Sequence, residues 1–101
     1  TVDKIRAEVE TANAALDAAY ERFTKAKESR RLADYIADIE QRKFELGQSD
    51  LLSVVLRERS AVEAADSEND ALLEYFVARA DYDAALARDW PIDINEVDVV
   101  P

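Results

Sequence analysis

The sequence predicts an all-α protein, a long antiparallel two-helix coiled-coil hairpin with a short extended C-terminal tail. A single glycine, Gly47, separates two long segments that both have helical character. Of the 101 residues, 49% are hydrophobic and 36% are charged, and only two are proline, a composition typical of long helices. We therefore predict one domain over residues 1–101, with a helix at about 2–46, a tip at 47–49, a helix at about 50–88 and a tail at 89–101.

The first predicted helix carries apolar residues at alternating steps of three and four, which is the pattern of a coiled-coil seam. The seam residues are Val2, Ile5, Val9, Ala12, Leu16, Ala19, Phe23 and Ala26. Continuing this spacing would place Arg30 in the seam, whereas the later apolar residues Leu32, Ile36, Ile39 and Leu46 follow a shifted phase. The sequence therefore predicts that the seam rotates around the helix near residues 29–31.

The predicted tip combines a helix stop with a helix start. Glycine is favoured where a helix ends in a left-handed turn, because it has no Cβ to clash, so Gly47 is predicted to be the first residue beyond the helix. Ser49 can offer its hydroxyl oxygen to the free amides of the second helix, and Asp50 would add a negative charge to that helix's first turn.

The second predicted helix has pairs of adjacent apolar residues instead of a narrow seam, and a face of that width can contact two partners. These pairs are Leu51 and Leu52, Val54 and Val55, Ala61 and Val62, Leu72 and Leu73, and Tyr75 and Phe76. Trp90 precedes Pro91, which disfavours helical backbone, so the helix should end near Arg88 or Asp89. Residues 92–101 are then an extended tail, whose partial alternation could add to a sheet in a larger protein.

The net charge of −10 is unevenly distributed, since residues 1–50 carry 9 basic and 11 acidic groups and residues 51–101 carry 4 and 12. Such a chain repels phosphates and anionic lipid, so we expect neither nucleic acid nor direct membrane insertion. The only dense basic cluster is Lys25, Lys27, Arg30 and Arg31. Its spacing to Glu21, Glu28 and Asp34 predicts ion pairs on a solvated helix surface.

Catalysis is not expected of this chain. It has no Cys and no His, so thiolate chemistry and the commonest metal ligands and catalytic bases are missing, and we predict no catalytic residue, no cofactor and no metal site. The carboxylates Glu58, Glu63, Asp66, Glu68 and Asp70 are predicted to be solvated. Tyr75, Phe76 and Tyr82 are predicted to pack along a helix face and not to form a stacking platform.

Two segments together resemble a known family. The run from Arg42 to Val54, RKFELGQSDLLSV, resembles the tip signature of TolC-like outer membrane efflux proteins, and the run from Glu74 to Ala87, EYFVARADYDAALA, resembles their later alanine-rich Asp-Tyr segment. The order and spacing of both segments fit the family, and the resemblance covers roughly Ala12 to Ala87.

The resemblance implies a trimeric conduit whose periplasmic helices form a hollow tube, joined to an outer membrane barrel in a Gram-negative bacterium. It implies that this chain is the tip-proximal portion of one of the family's helical hairpins. The tip would then dock the hairpin of a periplasmic adaptor protein while an inner membrane pump supplies the energy. By this resemblance, the adaptor-docking residues are Leu46, Gly47, Gln48, Ser49 and Asp50.

Other interpretations stay open at the level of sequence. The tip residues equally suit a plain turn with helix caps, and Leu51, Leu52, Val54 and Val55 suit buried packing against neighbouring helices better than docking. The chain could also be the helical hairpin of an adaptor, or a structural coiled-coil spacer or dimerisation module. The exported substrate, the cognate pump, which of the family's two hairpins this is and the oligomeric state of the isolated chain are not specified by the sequence.

Overall fold

The structure, a computed structural model, describes residues 2–89 and consists there of two long helices. Helix α1 spans Val2–Glu45 (44 residues) and helix α2 spans Leu51–Asp89 (39 residues), and no strand is present between residues 2 and 89. At a rise of about 1.5 Å per residue, the 44 residues of α1 are about 66 Å long. The predicted pair of helices and the extended form are thus confirmed. The predicted extended tail lies outside the described residues.

The two helices lie side by side, and side chains paired across them have a regular relationship. Arg22 contacts Glu74, Phe23 stacks on Tyr75 and Arg30 contacts Glu68. The two residue numbers in these pairs total 96, 98 and 98, and from Arg22 to Arg30 on α1 the partner on α2 falls from Glu74 to Glu68. Half of these totals is 48 to 49, so the turn between the helices is centred near residues 48 and 49.

Alanine recurs at every seventh position on the facing sides of both helices. The alanines are Ala12, Ala19, Ala26 and Ala33 on α1, and Ala64, Ala71, Ala78 and Ala85 on α2. Ala19, Ala71 and Ala85 are buried, and the other five are half-buried. Each alanine on α1 has a counterpart on α2 at the same level. Small side chains at these levels permit close approach of the helix axes, whose separation depends on the side chains at the contact.

Larger side chains fill the levels between the alanines. Phe23 and Tyr75 stack there with ring centroids 6.3 Å apart. One heptad further along α1, the equivalent level holds an ion pair instead, in which Arg30 Nη1 lies 2.9 Å from Glu68 Oε2. The Glu68 side chain is only 14% exposed, so this carboxylate lies largely within the contact between the helices.

The predicted rotation of the seam near residues 29–31 is wrong for the contact between the two helices. The contact continues in its original spacing through Arg30, Ala33 and Ala37, and Ala37 is buried. Leu32 and Ile36, which suggested the rotation, are 46% and 43% exposed. The large apolar residues thus mark a second face of α1, while the small alanines mark the face that meets α2.

Candidate functional site: the turn between the helices

Helix α1 ends in a turn whose backbone is held by paired hydrogen bonds. Gly47 has the left-handed φ of 75° that the sequence predicts. Its N–H donates to the Phe44 carbonyl (3.0 Å), and the Gln48 N–H donates to the Lys43 carbonyl (2.7 Å). This pair of bonds is the Schellman arrangement, which satisfies carbonyls left free at a helix C-terminus. The direction in which the chain leaves α1 is therefore fixed by the backbone itself.

Asp50 caps the N-terminus of helix α2, one residue after Ser49, which was the predicted cap. The Ser53 N–H donates to Asp50 Oδ1 (2.7 Å), and the Val54 N–H donates to the Asp50 carbonyl (3.3 Å). Because the charged carboxylate accepts the Ser53 N–H, the pKa of Asp50 lies below its ordinary value. Asp50 thus caps the helix and also places a negative charge at its N-terminus.

Ser49 does not cap α2, which corrects the role predicted for it. Its hydroxyl donates instead to a carboxylate oxygen of Glu40 on α1, at 2.5 Å. Ser49 and Glu40 are both half-buried, whereas the other four residues of the predicted site are exposed. Ser49 therefore ties the turn to the last part of α1, and the surface of the turn is formed by its neighbours.

Apolar side chains project around this turn. Leu46 is 73% exposed, Leu51 is 62% exposed and Leu52 is 67% exposed. Of the four apolar residues predicted to be buried at the start of α2, only Val54 is buried within the chain, at 4% exposure, and Val55 is 49% exposed. The turn thus combines a backbone fixed by hydrogen bonds with apolar side chains that nothing within residues 2–89 covers, an arrangement suited to binding another protein surface.

The middle of the helix pair contains an aromatic cluster on one side of the contact. Tyr75 lies next to Tyr20, Phe23 and Phe76, with ring centroids 5.8 to 6.3 Å apart. Tyr75 and Tyr82 are half-buried, as predicted for a packing face, but Phe76 is 55% exposed. The Arg79 guanidinium donates to the Tyr75 hydroxyl (3.3 Å) and its pKa is raised by that bond. The cluster mainly joins the two helices.

The basic cluster on α1 forms the predicted ion pairs. Arg31 contacts Glu28 at 2.7 Å, Arg30 contacts Asp34 at 3.7 Å and Lys25 contacts Glu21 at 3.9 Å. The bond from Arg31 lowers the pKa of Glu28 and raises that of Arg31. Sequence reasoning missed the contact of Arg30 with Glu68 across the helices, although the seam spacing pointed to Arg30.

The carboxylates that could suggest acid–base or metal chemistry do not converge. Over residues 2–89, no three carboxylate groups lie close enough together to hold a metal ion. Among residues 2–89, recesses along the contact between the helices are open grooves and not enclosed cavities. Glu68 is engaged by Arg30, and Glu63 forms a surface pair with Arg59 at 3.5 Å.

Comparisons of the chain with protein-family models, curated proteins and solved structures found no match. Within residues 2–89, neither helix contains a stretch that is both long and apolar enough to cross a membrane.

Proposed function

We propose that this chain is a non-catalytic periplasmic part of an outer membrane efflux or secretion channel in a Gram-negative bacterium. In this proposal it is an antiparallel coiled-coil hairpin that forms part of a conduit wall and docks the hairpin of a periplasmic adaptor protein through its tip. The docking residues are Leu46, Gly47, Gln48, Ser49 and Asp50. The resemblance of the tip sequence to TolC-like proteins supplies the identity of the machinery.

The single observation that supports docking most directly is Leu46, whose side chain is 73% exposed beside a turn of fixed geometry. A large exposed apolar side chain next to a preformed backbone loses little conformational freedom on binding, which favours recognition by a partner. The Asp50 cap and the Ser49–Glu40 bond hold the other side of the same turn. The tip therefore needs no rearrangement to present its surface.

The conduit-wall part of the proposal is supported by the exposure along the rod. Both helices carry large apolar side chains that are more than 40% exposed and lie away from the contact between them, among them Ile36, Val62 and Leu73. Monomeric proteins rarely leave extended apolar surface open to water, and such surface marks contacts with other chains. Trimeric assembly around a hollow centre follows from the family resemblance.

A structural spacer is the second candidate, because the caps at Gly47 and Asp50 account for the turn without any partner. A spacer needs the turn only for stability, so side-chain changes at its exposed surface would leave partner binding unaffected. The adaptor hairpin is a further alternative within the same machinery. In that case the tip would contact a channel protein and not an adaptor.

Site-specific photo-crosslinking tests the proposal. A photoreactive residue replaces Gln48 at the tip or, as control, Glu63 in the middle of α2, and the chain is irradiated in a Gram-negative periplasmic extract. We expect the Gln48 probe to capture an adaptor protein, with crosslinked peptides from the adaptor's helical hairpin identified by mass spectrometry. Equal capture by both probes, or crosslinks to an unrelated protein, would favour the spacer.

A matched pair of leucine variants separates docking from stability. Leu46→Ala removes the apolar side chain beside the turn, and Leu73→Ala removes one of similar exposure, 63%, from the middle of α2. Both side chains are largely in solvent, so each variant should unfold within about 0.5 kcal/mol of the unsubstituted chain. Adaptor capture should fall only for Leu46→Ala. If both variants bind equally well, Leu46 has no part in docking.

A further inference from the structure

Each helix carries an apolar stripe near the tip that the other helix leaves largely exposed. We define the α1 stripe as Leu32, Ile36, Ile39, Lys43 and Leu46, and the α2 stripe as Leu51, Val55, Glu58, Val62 and Ala65. Steps of three and four place the members of each stripe on one helix face. Among the apolar members, the five largest exposed fractions are 46% at Leu32, 73% at Leu46, 62% at Leu51, 49% at Val55 and 61% at Val62.

The two stripes lie on opposite sides of the plane that contains both helix axes. Ile36 follows Arg22 by two heptads, so the α1 stripe is on the side of the Arg22–Glu74 ion pair. On α2, Leu72 lies three heptads after Leu51 and one heptad after Ala65, so it marks the helix face of the α2 stripe. Leu72 is two residues before Glu74, and at 100° per residue the two side chains are about 200° apart around the helix. The α2 stripe is therefore on the other side. One hairpin thus offers two different surfaces to two neighbours.

Each stripe contains one charge, and the two charges are opposite. Neither Lys43 nor Glu58 forms an ion pair with any residue between 2 and 89. With the tip level taken near residues 48 and 49, a rise of about 1.5 Å per residue puts Lys43 about 8 Å and Glu58 about 14 Å from that level. Two hairpins side by side with level tips would therefore place these charges about 6 Å apart along the axis, within reach of a lysine side chain.

We propose that a second copy of this chain packs its α2 stripe against the α1 stripe, with Lys43 of one copy paired to Glu58 of the other. The contact joins two different surfaces, so each copy keeps one stripe of each kind for further copies, and the assembly closes into a ring or continues. This inference rests on the conduit wall proposed above and specifies its contacts. It does not depend on what the tip docks.

Charge favours this pairing over contact between two identical stripes. Helix α1 carries 9 basic and 10 acidic residues, whereas α2 carries 4 basic and 9 acidic ones. Two α2 helices in contact would bring together two strongly acidic surfaces and two copies of Glu58. A contact of α1 with α2 avoids this repulsion and pairs the two charges in the stripes.

The area of one stripe contact favours weak association that depends on concentration. Each stripe spans 15 residues and is about 22 Å long, and a contact about 10 Å wide would cover roughly 220 Å² on each partner. This value is below the range of stable, specific interfaces. We therefore expect weak association of the 101-residue chain between single pairs, strengthened where several copies close a ring.

Charge reversal tests the pairing by sedimentation equilibrium of the 101-residue chain over a concentration series at low salt. Lys43→Glu and Glu58→Lys should each weaken association by about fivefold, the scale of an exposed ion pair. The double variant should restore it, because the charges are again opposite between neighbours. An equal mixture of the two single variants should also associate, since each chain is then complementary to the other on both stripes.

Lys4→Glu and Glu10→Lys are the controls, since they make the same charge changes at exposed positions of α1 far from the tip and should leave association unchanged. Assembly that ignores the Lys43 and Glu58 reversals would overturn the stripe pairing and leave the conduit wall standing. A chain that stays monomeric at every concentration would also overturn the stripe pairing. Leu46 belongs to both the tip and the α1 stripe, so adaptor capture by Leu46→Ala does not test this inference, whereas the Lys43 and Glu58 reversals do.

Discussion

The alanine at position 19 provides the sharpest test of how the helices approach each other. Its side chain is 1% exposed and lies at the level of Ala78, in the series of alanines that recurs every seven residues. Ala19→Leu adds three carbon atoms to a side chain that is buried in the contact between the helices, beside an open groove lined by Ala19 and Ala78. We expect the larger side chain to push the helices apart at this level, which would also loosen the neighbouring contact of Phe23 with Tyr75.

Overpacking of this kind costs about 1–3 kcal/mol, and we expect a loss of about 2 kcal/mol in the free energy of unfolding for Ala19→Leu. For a domain of this size, that loss lowers Tm by roughly 10 °C. The assay is urea unfolding followed by circular dichroism at 222 nm, at a protein concentration at which sedimentation shows the same oligomeric state for all variants. Ala19→Leu should shift the midpoint without changing the slope.

Ala14→Leu is the matched control, because it makes the same change on an exposed face of the same helix. Its free energy of unfolding should stay within about 0.5 kcal/mol of the unsubstituted chain. If Ala19→Leu is as stable as Ala14→Leu, the alanines do not set the distance between the helices, and the account of the seam given above is refuted.

Three further predictions concern the turn and the ion pair between the helices. Gly47→Ala should lower the free energy of unfolding in urea by about 1 kcal/mol, because the positive φ strains any L side chain although a Cβ would meet no atom within 4 Å. The free energy of unfolding of Gln48→Ala should be unchanged. Equal stability of the two variants would contradict backbone strain as the origin of the cost. Because the pKa of Asp50 is lowered in the folded chain, its cap stabilises the fold above the ordinary pKa of 3.8, and this stabilisation is lost as the pH falls through the lower folded value. Thermal unfolding between pH 5 and pH 2 should therefore show a smaller acid destabilisation in Asp50→Asn than in the unsubstituted chain. Identical pH profiles of the two chains would disprove the contribution of the cap. Glu68→Arg should destabilise the chain in the same urea assay, because it places two like charges between the helices, and adding Arg30→Glu should recover part of the loss. No recovery in the double variant would show that the 2.9 Å contact between Arg30 Nη1 and Glu68 Oε2 does not stabilise the fold.

The parts of the fold that follow local rules were predictable from the sequence. A lone glycine between two helical segments can be placed in a left-handed turn because few other residues adopt that backbone. The cap of α2 was placed one residue early, since both Ser49 and Asp50 are good capping residues and local sequence does not decide between them. The decision comes from Glu40, nine residues earlier, which receives the Ser49 hydroxyl.

The face by which α1 meets α2 was harder to predict beyond residue 29. Reasoning from large apolar residues gave weight to Leu32 and Ile36, yet the smaller Ala33 and Ala37 meet the other helix. The partner of Arg30 depends on the length of the turn, because the turn sets which level of α2 lies opposite. Whether the tip docks an adaptor depends on a second molecule, so that role stays a prediction.

The seven-residue recurrence of alanine on both helices has a consequence for how proteins of this design can change in length. Because the turn sets the register, a heptad inserted in α1 alone would displace every alanine before the insertion from its counterpart, and an insertion between Arg30 and the turn would set Arg30 against a different level of α2. A heptad inserted in each arm at matching levels would leave all pairs intact and move the turn about 10 Å further out. The reach of the rod is therefore adjustable in steps of fourteen residues, while the surface at its end stays the same.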